Sequence, residues 1–330
     1  MKSNNLFLIL ICLLLFTPFI SCGQDTKAKL PELAKEIVKM RDLDQKMRIK
    51  WAGQIKKGKD KSEKFKEFTN KLIALDRQHT ARMREIVDTH GWPTYELVGE
   101  GPSNSAWLLV QHADRNPLFQ AKCLPLMKAA VDKGQANPAN YAYLYDRVQV
   151  AKGEKQLYAT QSSSNNGLKE GAFYPIEEEH LIQERREAMN ISRNVEDYAS
   201  SMGFTYKIPT PEEASVKATQ ETVNSKKHLI QAKKALMNQD YQKAADEYMM
   251  LTQFYGNIST IDFVEAAKSL SLAQHDEMAL GFSFLTKAMV RGWSDWEIVK
   301  TDPDFENLRS SSDSRWQDFL TTAEEMQLDR

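Results

Sequence analysis

Three stretches gather the side chains able to do chemistry. WLLVQHADRNPLFQ, residues 107–120, holds His112, Asp114 and Gln120. YDRV holds Asp146 and Arg147, and QLYATQ holds Gln156, Tyr158 and Gln161. An imidazole titrates near neutral pH, so His112 is a candidate general base or hydrogen-bond donor. Asp146, the second catalytic candidate, and Arg147 are an adjacent acid and base suited to orienting or neutralising a polar substrate. Amides and phenols bind polar ligands through directed hydrogen bonds, which makes Gln156, Tyr158 and Gln161 candidate ligand contacts with Asp114, Gln120 and Arg147. If 156–160 is extended, Gln156, Tyr158 and Thr160 share one face. If 107–114 is helical, Asp114 lies about 200° round from His112, so the two do not pair within the helix. Asp114 then caps a helix starting near Pro117, while His112 lines a cleft. The competing reading makes His112 a satisfied core histidine and gives the island's amides the backbone groups of a loop that lacks a ladder partner.

Other reactive groupings are weaker. Glu177, His180 and Glu184 have the spacing of half a carboxylate-bridged di-iron site, but a second Glu-x-x-His is missing, so no metal and no cofactor are expected. An acidic start favourable to the helix dipole explains the same residues. Cys123 sits among Ala121, Leu124 and Leu126 and reads as a buried, inert thiol. The sequence has no His-Glu-x-x-His, no phosphate-binding loop, no Gly-x-Ser-x-Gly and no Cys-x-x-Cys. A net charge of −1 gives no basic surface for nucleic acid.

The elements that must position these groups are helical almost throughout. Leu33, Ile37, Met40, Leu43, Met47, Trp51 and Ile55 recur at helical spacing, and Phe65, Phe68, Leu72, Leu75, His79, Met83 and Ile86 do the same. The two predicted helices flank the polar run KKGKDKSEK and form an antiparallel hairpin, the second stopping at HGWP. Ser103, Asn104 or Ser105 is expected to cap the next helix, and Pro117 to start another. Asn137-Pro138 opens YAYLYDRVQVAK, which Gly153 closes. Residues 154–176 are the one non-helical island, followed by two short helices that stop at Gly203.

KIPTPEEAS is read as a linker, so the predicted organisation is a helical domain over 31–205, a linker over 206–222 and a second helical domain over 223–330. In that last segment, AKKALMNQDYQKAADEYMMLTQFY pairs two helices about Asp240-Tyr241, with Ala232 and Ala235 facing Ala244. FVEAAKSLSLAQHDEMALGFSFLTKAMVRG repeats the pattern with Ala267, Asp276, Ala279, Leu285 and Ala288. The spacing resembles tetratricopeptide repeats, helix pairs of about 34 residues whose small positions allow close approach. The tail, with its D-x-D-hydrophobic-x-x-L stretch and Trp, resembles the segment that closes such repeats. The fold class expected is all-α: a helical bundle with one irregular loop island, then a short tetratricopeptide-like repeat.

The N-terminus reads as an export signal. Lys2 precedes an apolar stretch from Leu6 to Phe19, too short to span a bilayer, and FISCGQD resembles a bacterial lipobox. Residues 1–22 are then a lipoprotein signal, Cys22 the lipidated residue and 23–30 a tether, placing the protein in the cell envelope, lipid-anchored on a periplasmic or outer face. A plain secretory signal and a retained membrane anchor are the alternatives.

LLVQHAD…FQ, YLYDRV, QLYATQ and the late Arg185-Arg186 together resemble a family of bacterial helical domains with QHAD, DRV and Q-x-Y-G-T-Q motifs, over about residues 65–203. This sequence departs at Ala159 and at Asn190, where the family has Gly, so a Gly-only backbone is not expected at 159. The family has no established activity, so the resemblance implies the site residues already named and no reaction. The leading functional expectation is an envelope lipoprotein that binds a protein or peptide through its repeat region. The alternative is a small-ligand-binding or hydrolytic domain with a polar site around His112, Asp146, Arg147 and Gln161.

Overall fold

The computed structural model describes residues 28–59, 61–162, 171–251, 254, 258–311 and 315–328. The stretch read as a signal, Cys22 and most of the stretch read as a tether lie outside them. The chain divides between Tyr141 and Ala142 into two compact units. It is all-α. Among the described residues pairing of the β type is limited to two isolated bridges, Gln156 with Ile176 and Ser162 with Phe173.

The first unit contains α1 (Pro31–Lys56), α2 (Glu63–His90), α3 (Tyr95–Val98), α4 (Glu100–Gln111) and α5 (Pro117–Asp132). The first two helices form the expected antiparallel hairpin. Trp51 and Phe65 lie 5.6 Å apart between ring centroids, Trp51 Nε1 donates to Thr69 Oγ1 at 3.0 Å, and Met47, Ile55 and Phe68 close over them. Ser62 caps α2, and Gly91, at φ 71°, ends it where Pro93 forbids continuation. The α1 face that is buried is Ala34, Ile37, Asp44, Arg48, Trp51 and Ala52, and Leu43 of the expected apolar stripe is exposed.

Two details of the next helices differ from expectation. Helix α4 starts at Glu100 after Gly99, so Ser103 and Ser105 are buried inside it and do not cap it. The cap of α5 is Asn116, whose Oδ1 accepts from Phe119 N at 3.1 Å, and not Asp114. Asn116 is the residue before Pro117, where an Asx side chain reaches the third amide of the helix. Cys123 is buried in α5, and burial pushes its thiol far above the ordinary range.

The second unit contains most of α6 (Pro138–Lys152), the island, a 3-10 turn (Glu179–Leu181), α7 (Ile182–Ala188) and α8 (Val195–Ser201). It continues with α9 (Pro211–Met237), α10 (Tyr241–Leu251), α11 (Thr260–Leu272), α12 (Ala279–Val290), α13 (Ile298–Thr301), a 3-10 turn (Pro303–Phe305), α14 (Glu306–Ser310) and α15 (Arg315–Leu328). Residues 206–210 of the stretch read as a linker have no regular secondary structure, and 211–222 are the first half of α9, opened by a capping box of Thr210 and Glu213. Ala232 and Ala235 of α9 and Ala244 and Ala245 of α10 are buried, and α11 packs against α12 with Ala267, Leu285 and Ala288 buried. Small side chains let helix axes approach and pack without gaps. Trp296, Val299, Phe305 and Leu308 are buried, with Asn307 Nδ2 donating to Ser271 O at 2.9 Å, so the tail covers α11.

The C-terminus of α6 is held by α12. Lys287 Nζ donates to Val150 O at 3.0 Å, and Arg291 donates to the carbonyls of Lys152 at 2.7 Å and Gly153 at 3.4 Å. Cations at a helix C-terminus satisfy carbonyls without intrahelical partners and oppose the macrodipole. Arg291 also stacks over Phe263 and pairs with Glu154 at 2.6 Å.

Candidate functional site

The expected site residues divide between the units. His112, Asp114 and Gln120 belong to the first; Asp146, Arg147, Gln156, Tyr158 and Gln161 belong to the second. Each group is built differently.

In the second unit the island is organised by Asp146 of α6. Its fully buried carboxylate accepts from the backbone N–H groups of Leu157 at 2.8 Å, Tyr158 at 3.1 Å and Thr160 at 3.0 Å, and from Thr160 Oγ1 at 2.9 Å. Burial pushes the acid up to about 6, against the pull of those donors. Gln156 closes the loop: its Nε2 donates to Gln161 O and Tyr174 O, both at 2.8 Å, and its Oε1 accepts from Gln161 N at 2.9 Å. Gln161 Nε2 turns back to Thr160 Oγ1 at 2.9 Å. Tyr158 O accepts from Arg186 Nη1 at 2.7 Å, and the buried Arg186 lies over Tyr198. Arg147 is buried on the same helix as Asp146. These polar groups replace the ladder that the island lacks, which is the structural alternative the sequence offered for them. Ala159 sits among them at φ 48°, and Asn190 follows α7 at φ 56°. Both positions take the left-handed conformation that glycine favours but other residues can adopt, so the backbone at 159 is not one that only glycine can hold, and the Ala159 methyl is buried against Ile176, Ile182 and Val195.

The first unit holds a different arrangement. Asp44 and Arg48 lie one turn apart on α1, Asp76 and His79 one turn apart on α2, and His112 is the C-cap of α4. His112 Nδ1 and Asp44 Oδ2 are 2.9 Å apart. Arg48 Nε donates to Asp44 Oδ1 at 2.9 Å, Arg48 Nη2 to Asp76 Oδ1 at 2.6 Å, and Gln45 Nε2 to Asp44 Oδ2 at 2.9 Å. Asp44, Arg48, His79 and His112 are 1%, 4%, 6% and 6% exposed, burial at which charges persist only when paired.

The two carboxylates on Arg48 titrate in opposite directions. Burial acts to raise Asp44, but the hydrogen bond from His112, the charge of Arg48 and the hydrogen bond from Gln45 outweigh it, holding the acid well below the carboxylate range. Burial raises Asp76 up to about 7, the charges of Asp44 and Asp114 adding to it and Arg48 opposing it. Burial, then the Arg48 charge, lowers His112 despite its bond to Asp44. Burial likewise lowers His79. The consistent state is anionic Asp44 with a neutral His112 that donates from Nδ1, leaving Nε2 as the basic nitrogen. Such a dyad orients the imidazole and stabilises the imidazolium formed when Nε2 takes a proton. Arg48 Nη1 and His79 Nδ1 are buried there without a hydrogen-bond partner, and so are both amide atoms of Gln111.

Asp114 is exposed and acts on the cluster through its charge. Gln120 serves the backbone, its Nε2 donating to Val110 O at 3.1 Å and Gln111 O at 3.2 Å. Asp44, Arg48, Asp76 and His79 were not singled out in the sequence as site residues. The available signal was the acid-base pair Asp44/Arg48, with Asp44 seven residues from both Ile37 and Trp51 and Arg48 three from Trp51, and therefore on their buried face.

Neither the curated proteins nor the solved structures contain a match to this chain. A family model does match, and it covers residues 31–208, reaching α1, where Asp44 and Arg48 lie, ahead of the stretch of about 65–203 that the sequence motifs spanned. By that match the chain belongs to DUF6624, a family of unknown function.

Proposed function

We propose that the family segment is a hydrolytic, polar-ligand domain in which His112 is the general base. The observation that carries this reading is the buried Asp44–His112 bond, with Arg48 and His79 presenting unpartnered nitrogens in the same cluster. His112 Nε2 takes a proton from water as the water oxygen attacks an electrophilic carbon or phosphorus. The same nitrogen returns the proton to the leaving group, and Asp44 stays ionised throughout. Arg48 holds Asp44 in position. Asp76, near neutrality in its pKa, exchanges its own proton readily at working pH. The test is a panel of ester, amide, phosphoester and glycoside substrates with the full chain. A turned-over substrate should lose at least about a hundredfold in kcat/KM in His112→Gln, the scale of a general base. The acid limb of the pH profile should fall below the ordinary histidine range, as the lowered His112 requires. A substrate turned over equally by His112→Gln overturns the assignment.

A second reading concerns the helices that follow. The buried alanines of α9–α12 and the sealing tail support tetratricopeptide-like pairs that offer a surface to an envelope protein or peptide. On this reading the chain is exported by residues 1–22, lipidated at Cys22 and held at a membrane of the envelope, so the polar site and the helical pairs work beside the same bilayer. Deleting 223–330 should then remove an envelope protein from those co-purified with the chain.

A further inference from the structure

Helix α9 exposes four large apolar side chains at intervals of seven: Val216 at 71%, Val223 at 55%, Ile230 at 67% and Met237 at 85%. A period of seven keeps them along one side of the helix with a drift of only about 20° per step. The opposite side, with Ser225, Ala232 and Ala235, is buried in the unit. Charge along α9 is asymmetric. Glu212 and Glu213 lie in its first turn, while Lys226, Lys227, Lys233 and Lys234 lie in its second half. Lys217 and Glu221 are already paired, with Glu179 at 2.8 Å and Lys155 at 3.1 Å.

We propose that α9 pairs with α9 of a second copy of this chain, antiparallel, about a two-fold axis passing at Val223. In that register Val223 meets Val223, Val216 meets Ile230, Lys234 meets Glu212, and Lys226 and Lys227 meet Gln220 and Thr219. Sliding by one heptad, so that Val223 meets Ile230, sets Lys226 against Lys227. A parallel in-register pair also sets these lysines against one another, and like charges across such a seam are repulsive. Sliding one heptad the other way, so that Val223 meets Val216, sets Lys226 and Lys227 against Glu213 and Glu212 but leaves Ile230 opposite residue 209, before α9 begins. The charges thus exclude the parallel pair and one slide, and the apolar residues select the register centred on Val223. A two-fold contact needs a surface complementary to itself, which this pattern provides. Antiparallel helices also place opposite dipole ends together. The shallow groove beside Val216, lined by Glu212, Glu213 and Gln220, is where Ile230 and Lys234 of the second copy would lie.

The test uses cells expressing the full chain, oxidised mildly and run on non-reducing gels, with the native cysteines giving the background. The substituted positions are exposed, so folding is retained. Val223→Cys should form a disulfide dimer well above the wild-type background. Val216→Cys and Ile230→Cys should stay near background singly and cross-link when co-expressed. In the Val223→Cys chain, Lys234→Glu should slow cross-linking roughly tenfold, as two attractive pairs become repulsive, and adding Glu212→Lys should restore it. Val223→Cys no faster than wild type, Val216→Cys alone as fast as Val223→Cys, or capture of a different protein by Val223→Cys would each overturn the proposal.

Discussion

Asp44 and Asp76 share one guanidinium and yet titrate on opposite sides of the carboxylate range. Asp44 receives Arg48, His112 and Gln45; Asp76 receives Arg48 and faces the negative charges of Asp44 and Asp114. The pH consequence of Asp76 follows from its folded pKa, raised from 3.8 to about 7. Its contribution to stability is complete below the unfolded value and is lost as pH rises through about 7, because the native state binds the proton the unfolded chain has released. Asn cannot ionise. The stability of Asp76→Asn relative to wild type should therefore improve from pH 4.5 to pH 8, by more than about 1 kcal/mol, in urea titrations followed by tryptophan fluorescence. The lowered histidines act in the reverse sense, their contribution being lost as pH falls below their ordinary range, but they are present in both proteins and cancel in the difference. A flat difference would show that Asp76 is ionised across the range. The sequence made His112 and His79 visible, one in a polar motif and one on an apolar stripe. It hid Asp44 and Arg48, because a charged pair on an amphipathic helix reads as its solvated face. Only the rotation of α1 that exposes Leu43 and turns Asp44 inward distinguishes the two, and packing sets that rotation.

At the scale of elements, local signals served well where a single residue type has a dominant physical role. Gly91, Pro117, Asn137 and Gly153 mark helix ends in the sequence and in the structure. The island was legible as non-helical, but not as a loop wrapped on one buried carboxylate, since Asp146 lies eleven residues before the first amide it accepts. Gly153 carries two constraints at once. Its φ is 72°, and a Cβ there would stand 2.9 Å from Phe263 Cζ. Gly153→Ala should cost about 2–4 kcal/mol, combining the left-handed penalty with overpacking, measurable as a lower unfolding midpoint of the second unit. Phe263→Leu, which shortens the ring that the methyl meets, should recover part of the loss. An unchanged midpoint in Gly153→Ala would show that α6 and α11 are not in contact in solution.

On the scale of the whole molecule, composition and periodicity were enough for the all-α class, because helical spacing recurs in nearly every segment longer than ten residues. How the chain divides was less legible, since it depends on contacts that have no local pattern. The family match ends at residue 208, whereas the compact units divide after Tyr141, near the start of α6. The proposed lipoprotein signal at the N-terminus makes its own prediction. Cys22→Ser should move the chain from the membrane fraction to the soluble fraction of the envelope, seen by fractionation and by loss of fatty-acid labelling. Retention of label in that variant would place the lipid elsewhere.

The hold of Lys287 and Arg291 on the last carbonyls of α6 bears on how such a chain is inherited. A gene fragment ending at residue 208 would encode the whole family segment while leaving those carbonyls bare and Gly153 without the aromatic ring it packs on. Recombination that grafts this segment onto another C-terminal partner must therefore supply two new cations at the junction or accept a frayed helix directly behind Asp146. The segment and the helices after it are in that sense a single heritable unit, and relatives lacking the latter should carry their own substitute for Lys287 and Arg291.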